Sequence, residues 1–272
     1  MPRDDLPVPH QRARGRLEIG FDRRGLAHLF QSAPLRALFP TPEPGEAPIA
    51  AVVNTAGGLA GGDAIEIALR AGAGGRATIS TPAAEKLYRS LGPETCIALR
   101  IAVEAGAALE WIPQETILFE GARLRRRVAV DLAADATLLL CETMVFGRRA
   151  RGERFCRGMV EDSWRVWRDG ALLWADGLAL EDAEAALQSR FGFVGAEAFG
   201  TVLLAGPAAE ASRDALRAAV GPHGGASLVR PGLLLGRWLG PAMPVRQAVG
   251  AAVVALRAAA LGLPARLPRL WG

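Results

Sequence analysis

Thr81-Pro82-Ala83-Ala84-Glu85-Lys86-Leu87-Tyr88 recurs 31 positions later as Ile112-Pro113-Gln114-Glu115-Thr116-Ile117-Leu118-Phe119. A third copy, Glu142-Thr143-Met144-Val145-Phe146, follows the second by 27, matching Glu115-Thr116 to Glu142-Thr143 and Phe119 to Phe146. Each copy is preceded by a small-residue turn and a strand-like run: Gly75–Ile79, Gly106–Trp111 and Asp135–Leu140. Alternating runs at Cys96–Val103 and Arg125–Leu132 lie between them. Short strands repeating at a period near 30 predict rungs stacked on one another. Stacking is expected to set Tyr88, Phe119 and Phe146 in one row, which reads as core. It is expected to set Glu85, Glu115 and Glu142 in another. Charged groups do not stack without partners, and Lys86 and Arg89 are candidates to supply them.

Working outward, Asn54-Thr55-Ala56-Gly57-Gly58-Leu59-Ala60-Gly61-Gly62-Asp63 joins two apolar runs. Pro48–Val53 reads as a buried strand. Ile65, Ile67 and Leu69 alternate with Glu66, Ala68 and Arg70 as a half-buried one. Gly57 to Gly62 has the spacing of a phosphate-binding loop, but Asp63 stands where that loop needs Lys, and a strand follows instead of a helix. The stretch is therefore read as a tight turn that brings the chain into its rungs, with Asp63 projecting where the first begins.

Residues 1–15 are expected to form a flexible tail, Arg16–Phe21 the first strand and residues 40–48 a Pro- and Glu-rich loop. Two helices come late. One starts at Gly206-Pro207, turns Ala215, Leu216, Ala219 and Val220 inward, and stops at Gly221-Pro222. The other starts at Pro244, carries Val245, Val249, Val253 and Leu256 on one face, and ends near Gly262. Strands at Gly200–Leu204 and Gly232–Trp238 precede them. The expectation is a mainly β fold with stacked-strand, β-helix-like repeats and a small C-terminal α/β part containing two helices. Residues 16–272 form one domain, with stacked strands over 16–195 and a strand-helix-strand-helix appendage over 196–272.

The chain has 272 residues, enough for a sizeable core, and half of them are hydrophobic. Lys86 is the only lysine and Tyr88 the only tyrosine. The net charge of +4 is short of that of an obligate nucleic-acid binder. Two arginine groups, Arg123/125/126/127 and Arg148/149/151/154/157, read as solvated faces, with docking to an acidic protein as the functional alternative. Neither is interleaved with aromatics as a single-strand nucleic-acid platform would be. Cys96, Cys141 and Cys156 form no metal-binding or disulfide pattern. The N-terminus lacks the apolar segment of a signal peptide, so a cytoplasmic location is expected. Val245–Leu263 is the most hydrophobic segment, but Arg257 within it favours a soluble helix over a membrane span.

No nucleophile elbow, zinc-protease helix or kinase set is present. His10, His28 and His223 lie outside the repeats. The chemistry left is that of carboxylates: Asp63, Glu85, Glu115, Glu120 and Glu142. A wet passage lined by carboxylates suits a divalent cation in weak, multi-site contact, whereas tight storage would want His or Cys as well.

NTAGGLAGGD, AAEKLYRS, IPQETILFEGARL, ETMVFGRRARGE and ASLVRPGLLLGRWLG, in that order, resemble the urease accessory protein UreD (UreH) family. The motif positions carrying the likeness are Asn54, Gly57, Gly58, Gly61, Gly62, Lys86, Tyr88, Arg89, Gln114, Phe119, Gly121, Phe146, Gly147 and Arg148. Pro82 departs from the glutamine common in the family, which removes an amide and an N–H beside Glu85. The resemblance implies a non-enzymatic cytoplasmic scaffold of stacked strands with no tightly bound cofactor. It implies binding to UreF, through UreF to the GTPase UreG, and docking on apo-urease. There Ni²⁺, handled transiently, is delivered, one route being a passage through this subunit. No nucleic-acid or membrane partner is implied. Two other readings compete: a β-helical enzyme acting on acidic polysaccharide, which would normally need export, and a basic nucleic-acid module, whose affinity would fall steeply with salt.

Overall fold

The computed structural model describes residues 11–181 and 183–271; most of the expected tail, residues 1–10, lies outside them. The chain enters through β1 (Arg14–Asp22), β2 (Gly25–Gln31), β3 (Leu35–Leu38) and β4 (Ile49–Asn54). Two three-strand coils follow: β5 (Ala64–Ala71), β6 (Arg76–Ser80) and β7 (Glu85–Leu87), then β8 (Thr95–Val103), β9 (Ala108–Trp111) and β10 (Thr116–Leu118). The next coil fuses its last two strands, leaving β11 (Arg123–Leu132) and β12 (Thr137–Phe146). After β13 (Met159–Arg168) and β14 (Ala171–Leu180) come α1 (Ala183–Gln188), β15 (Ala198–Ala205), α2 (Arg213–Ala219), β16 (Gly224–Arg230), β17 (Leu233–Gly240) and α3 (Ala242–Leu261).

The coils stack as a solenoid. In the first sheet, ordered β14-β13-β11-β8-β5-β1-β2, the five inner strands are parallel and both ends are closed by antiparallel hairpins. In the second, ordered β16-β17-β15-β12-β9-β6-β4-β3, the parallel stack β4, β6, β9, β12 is likewise flanked by antiparallel strands. A short third ladder runs from Leu59 through β7 and β10 to the end of β12. These antiparallel ends absorb hydrogen-bonding edges that a bare stack of coils would expose.

The register confirms one expected spacing and corrects the other. Glu85 pairs with Thr116, the expected step of 31. Thr116 pairs with Met144, a step of 28 and not 27. A slip of one residue reverses every side chain. Leu118 therefore opposes Phe146, and the expected aromatic row does not form. Tyr88 and Phe119 point outward and stack edge-to-face at 5.1 Å, with the Arg148 guanidinium 4.0 Å from the Phe119 ring centre. Phe146 points inward and meets Phe155 and Phe193.

Burial patterns explain the strand sequences. The first sheet has one solvated face, so β11 alternates, with Leu124, Arg126, Val128, Val130 and Leu132 inward. The second sheet is covered on both faces, which is why β12 and β15 are buried along nearly their whole length, without the alternation of β11. Its inner face meets the solenoid interior and its outer face meets α2 and α3. α2 starts at Arg213, later than the expected Pro207, because the residues before it form turns. α3 starts earlier than expected. Pro241 is extended (φ −62°, ψ 146°) and caps the helix, leaving Pro244 in the first turn where its missing N–H costs little. Val245, Val249, Val253 and Leu256 are fully buried as expected, and Gly262 ends the helix at φ 62°.

α3 is long and apolar enough to cross a bilayer, yet it packs as a core helix. Arg257 is completely buried. Its Nε donates to Glu110 Oε1 at 2.8 Å, and its Nη2 pairs with Glu46. This joins α3 to β9 and to the loop before β4. Arg257→Ala leaves the buried Glu110 carboxylate with only the Thr78 hydroxyl and without its cation, and should cost about 3–5 kcal/mol, read by chemical denaturation. Adding Glu110→Gln to that variant should restore part of the loss.

Candidate functional site

The inward side chains of the coils leave two cavities along the solenoid axis. The first, about 170 Å³, is walled by β4, β7, β9 and the loop at residues 81–84. Its polar lining includes Asn54, Glu85, Lys86, Trp111, Arg126 and Glu142. It meets the surface where Pro82 and Ala83 are exposed. The second, about 210 Å³, is lined by Arg126, Glu142, Asp162, Trp164, Asp176 and Arg237, among others, and meets the surface at exposed Gly177. Arg126 and Glu142 are the residues common to both.

Three neighbouring strands place these groups by alternation. Arg126 has the parity of Leu124 and Val128 on β11. Asp162 shares that of Val160 and Trp164 on β13, and Glu142 that of Leu140 and Met144 on β12. β11 and β13 pair with Arg126 opposite Asp162. Arg126 Nε and Nη2 donate to the two Asp162 oxygens at 2.9 and 2.8 Å, and Nη1 pairs with Glu142 across the interior. Trp111 Nε1 donates to Glu142 Oε1 at 3.1 Å, and Trp164 Nε1 to Asp162 Oδ2 at 3.0 Å. Burial alone would lower the Arg126 pKa, but Asp162 and Glu142 outweigh it and hold the guanidinium charged. Burial pushes the Glu142 carboxyl up, against the pull of Arg126 and Trp111.

The five carboxylates expected to line one passage do not converge. Glu85 and Glu142 share the first cavity. Glu85 accepts two hydrogen bonds from Asn54 Nδ2, at 3.1 and 3.0 Å. Glu115 has the opposite parity on its ladder and pairs with Arg246 of α3, so the expected row Glu85, Glu115, Glu142 is broken by strand alternation. Asp63 closes the glycine turn, accepting from Ala60 N and Ala13 N at 2.8 Å each. Glu120 accepts from Cys156 N at 2.7 Å and from Arg157 Nε at 2.9 Å, tying one coil to the next. Burial acts to raise its pKa, but Arg157 and the two N–H groups hold it below the usual range. Among the described residues, no three His, Cys, Asp or Glu side chains converge in a way that could hold a metal ion.

Close packing requires two glycines of the turn. A Cβ on Gly58 would lie 2.5 Å from the Tyr88 ring and 2.8 Å from the Lys86 carbonyl oxygen. One on Gly61 would lie 2.1 Å from Ser90 Oγ. Gly57 lines the cavity and its carbonyl accepts from Tyr88 Oη at 2.9 Å. Lys86 and Arg89, offered as partners for the carboxylates, are exposed, as are Arg151 and Arg154. Gln114 bridges Leu270 and Arg246, and Arg148 pairs with Glu153. The first arginine group is not a solvated face throughout, since Arg126 is buried. Its partner Asp162 was absent from the expected site. The parity of both residues within otherwise apolar inward sets was the available signal.

The sequence profile of the family described as UreD urease accessory protein matches residues 12–272. The urease accessory protein UreD of Granulibacter bethesdensis is 54% identical over 237 residues, spanning 86% of this chain and 99% of that protein. Its counterpart from Magnetococcus marinus is 44% identical, spanning 97% and 95%. That of Methylobacterium sp. is 42% identical, spanning 96% and 95%.

Burial raises the Glu85 carboxyl above its usual range, with the Asn54 amide opposing. A raised folded-state pKa favours the neutral acid, so the contribution of Glu85 to stability is full below the unfolded pKa and is lost as pH rises. Glu85→Gln keeps an acceptor for Asn54 and removes that loss. Its melting temperature should gain on the wild type as pH rises above about 4, whereas a gap independent of pH would contradict the burial penalty.

Proposed function

The chain belongs to the UreD urease accessory protein family, and from that membership we propose that it is a non-catalytic scaffold through which Ni²⁺ reaches apo-urease. In this reading it acts in the cytoplasm with UreF and, through UreF, the GTPase UreG, and holds no resident cofactor. Nickel is cargo and touches the protein only in passing.

The observation that carries the reading is the pair of interior cavities meeting at Arg126 and Glu142. A hard or borderline divalent cation crossing an apolar β core needs fixed oxygen ligands along the way to offset its desolvation. Glu85, Glu142 and Asp162 provide carboxylates from the first mouth inward, and Asp176, paired with Arg237, stands at the second. Each lies on the inward face of a strand, where the backbone ladder holds it in place. Asp63, Glu115 and Glu120 then act as struts and not as steps of the route. No feature of the interior favours polysaccharide hydrolysis, which needs two carboxylates flanking an open cleft.

The test is co-expression with urease and its accessory proteins at limiting nickel. Omitting the chain should leave urease without its metal. Glu142→Gln and Glu85→Gln should lower nickel content and activity by roughly tenfold, as loss of oriented ligands commonly does, while pull-downs still recover the complexes. Asp63→Ala and Glu115→Ala should act only through stability. Full nickel content with the chain omitted would overturn the reading.

A further inference from the structure

The two cavities are separated by the ion pair of Arg126 and Glu142. The Arg126 guanidinium lies between Asp162 and Glu142, the place a cation on the axis would have to occupy. We propose that Arg126 is a resident counter-ion that closes the passage, yields to a divalent cation, and then returns to expel it. This rests on the passage reading above.

Three features support it. First, the carboxylates are held independently of the arginine. The Trp111 indole fixes Glu142 from the first cavity and the Trp164 indole fixes Asp162 beside the second. They therefore stay aimed at the axis when the guanidinium leaves. Second, the second cavity, about 210 Å³, gives the long arginine stem room, and its Asp176, which pairs with Arg237 in the resting arrangement, is a carboxylate that a second guanidinium can share. Third, the exchange discriminates by charge. A monovalent ion replaces one positive charge with another and forfeits the bidentate hydrogen bonds to Asp162. A divalent ion doubles the attraction to the two carboxylates in a medium where Coulomb forces are strong. The returning guanidinium regains its own bonds, so the ion is not trapped. Without this competitor, two buried carboxylates hold a passing ion longer.

The experiment uses the full chain co-expressed with its accessory partners and urease. Nickel bound to the accessory complex is measured after gel filtration, alongside urease nickel content. Arg126→Met keeps the stem and removes the charge. It is expected to retain more Ni²⁺ on the accessory complex than the wild type and to lower urease loading by about tenfold, the size typical of a disturbed supporting shell. Arg126→Met with Glu142→Gln and Asp162→Asn removes both ligands and should retain no more than the wild type. Arg126→Lys guards against misfolding, since it keeps the charge and loses the fork. In this variant the NiCl₂ concentration that half-quenches tryptophan emission should fall several-fold below that of the wild type. If Glu142→Gln lowers loading but Arg126→Met and Arg126→Lys behave as wild type, the counter-ion role is overturned and the passage stands. If Glu142→Gln and Arg126→Met both load urease normally, the passage itself is overturned and the counter-ion role with it.

Discussion

A strand in a solenoid coil has no hydrogen-bond partner within its own coil. Its N–H and C=O groups are met only by the coils above and below, so each coil depends on its neighbours and the first and last need something else to close them. Here the hairpins β1–β2 and β13–β14 close one sheet, while β3 and the antiparallel β15–β17–β16 set close the other. α2 and α3 cover the outer face of that second sheet. The C-terminal part is thus the lid on a surface that the stack leaves apolar, and Arg257 secures it to Glu110 of β9.

The same pairing explains the interior. Once parallel strands are in register, inward positions of successive coils lie side by side, and a charged residue at one can be answered by a charged residue at the next. Arg126 and Asp162 are such a pair on adjacent strands, and Glu142 faces them from the opposite sheet. A buried ion pair seldom stabilises more than a well-packed apolar replacement would, and breaking one costs several kcal/mol. Three charges and two indoles committed to the axis of a β core are thus poorly explained by stability. The proposed passage accounts for them, since an ion crosses only a core that stays polar.

The glycine turn and the aromatic pair serve this interior from outside. Gly58 and Gly61 let the turn press against Tyr88 and Ser90, and Asp63 locks it to the backbone of residues 13 and 60. The result is a tightly packed turn beside the first cavity, of whose glycines Gly57 lines it.

Much of this was legible without coordinates. The period near 30, the alternation within each strand, the glycine turn and both C-terminal helices follow from local pattern, because side-chain parity and proline and glycine chemistry are properties of short segments. The members of the site were less legible. Spacing placed Glu85, Glu115 and Glu142 in one row, but facing depends on register to the single residue. The bend that lets β12 pair with both β9 and β10 changes the step from 29 to 28. Arg126 was hidden for another reason: in Arg123-Leu124-Arg125-Arg126-Arg127 charge masks parity, and only the presence of Asp162 and Glu142 makes an inward arginine affordable. Sequence by itself determined the stacked-strand architecture and the family. Tertiary structure alone decided which charges share the axis, because that rests on contacts between residues 16 and 36 positions apart that no local pattern encodes.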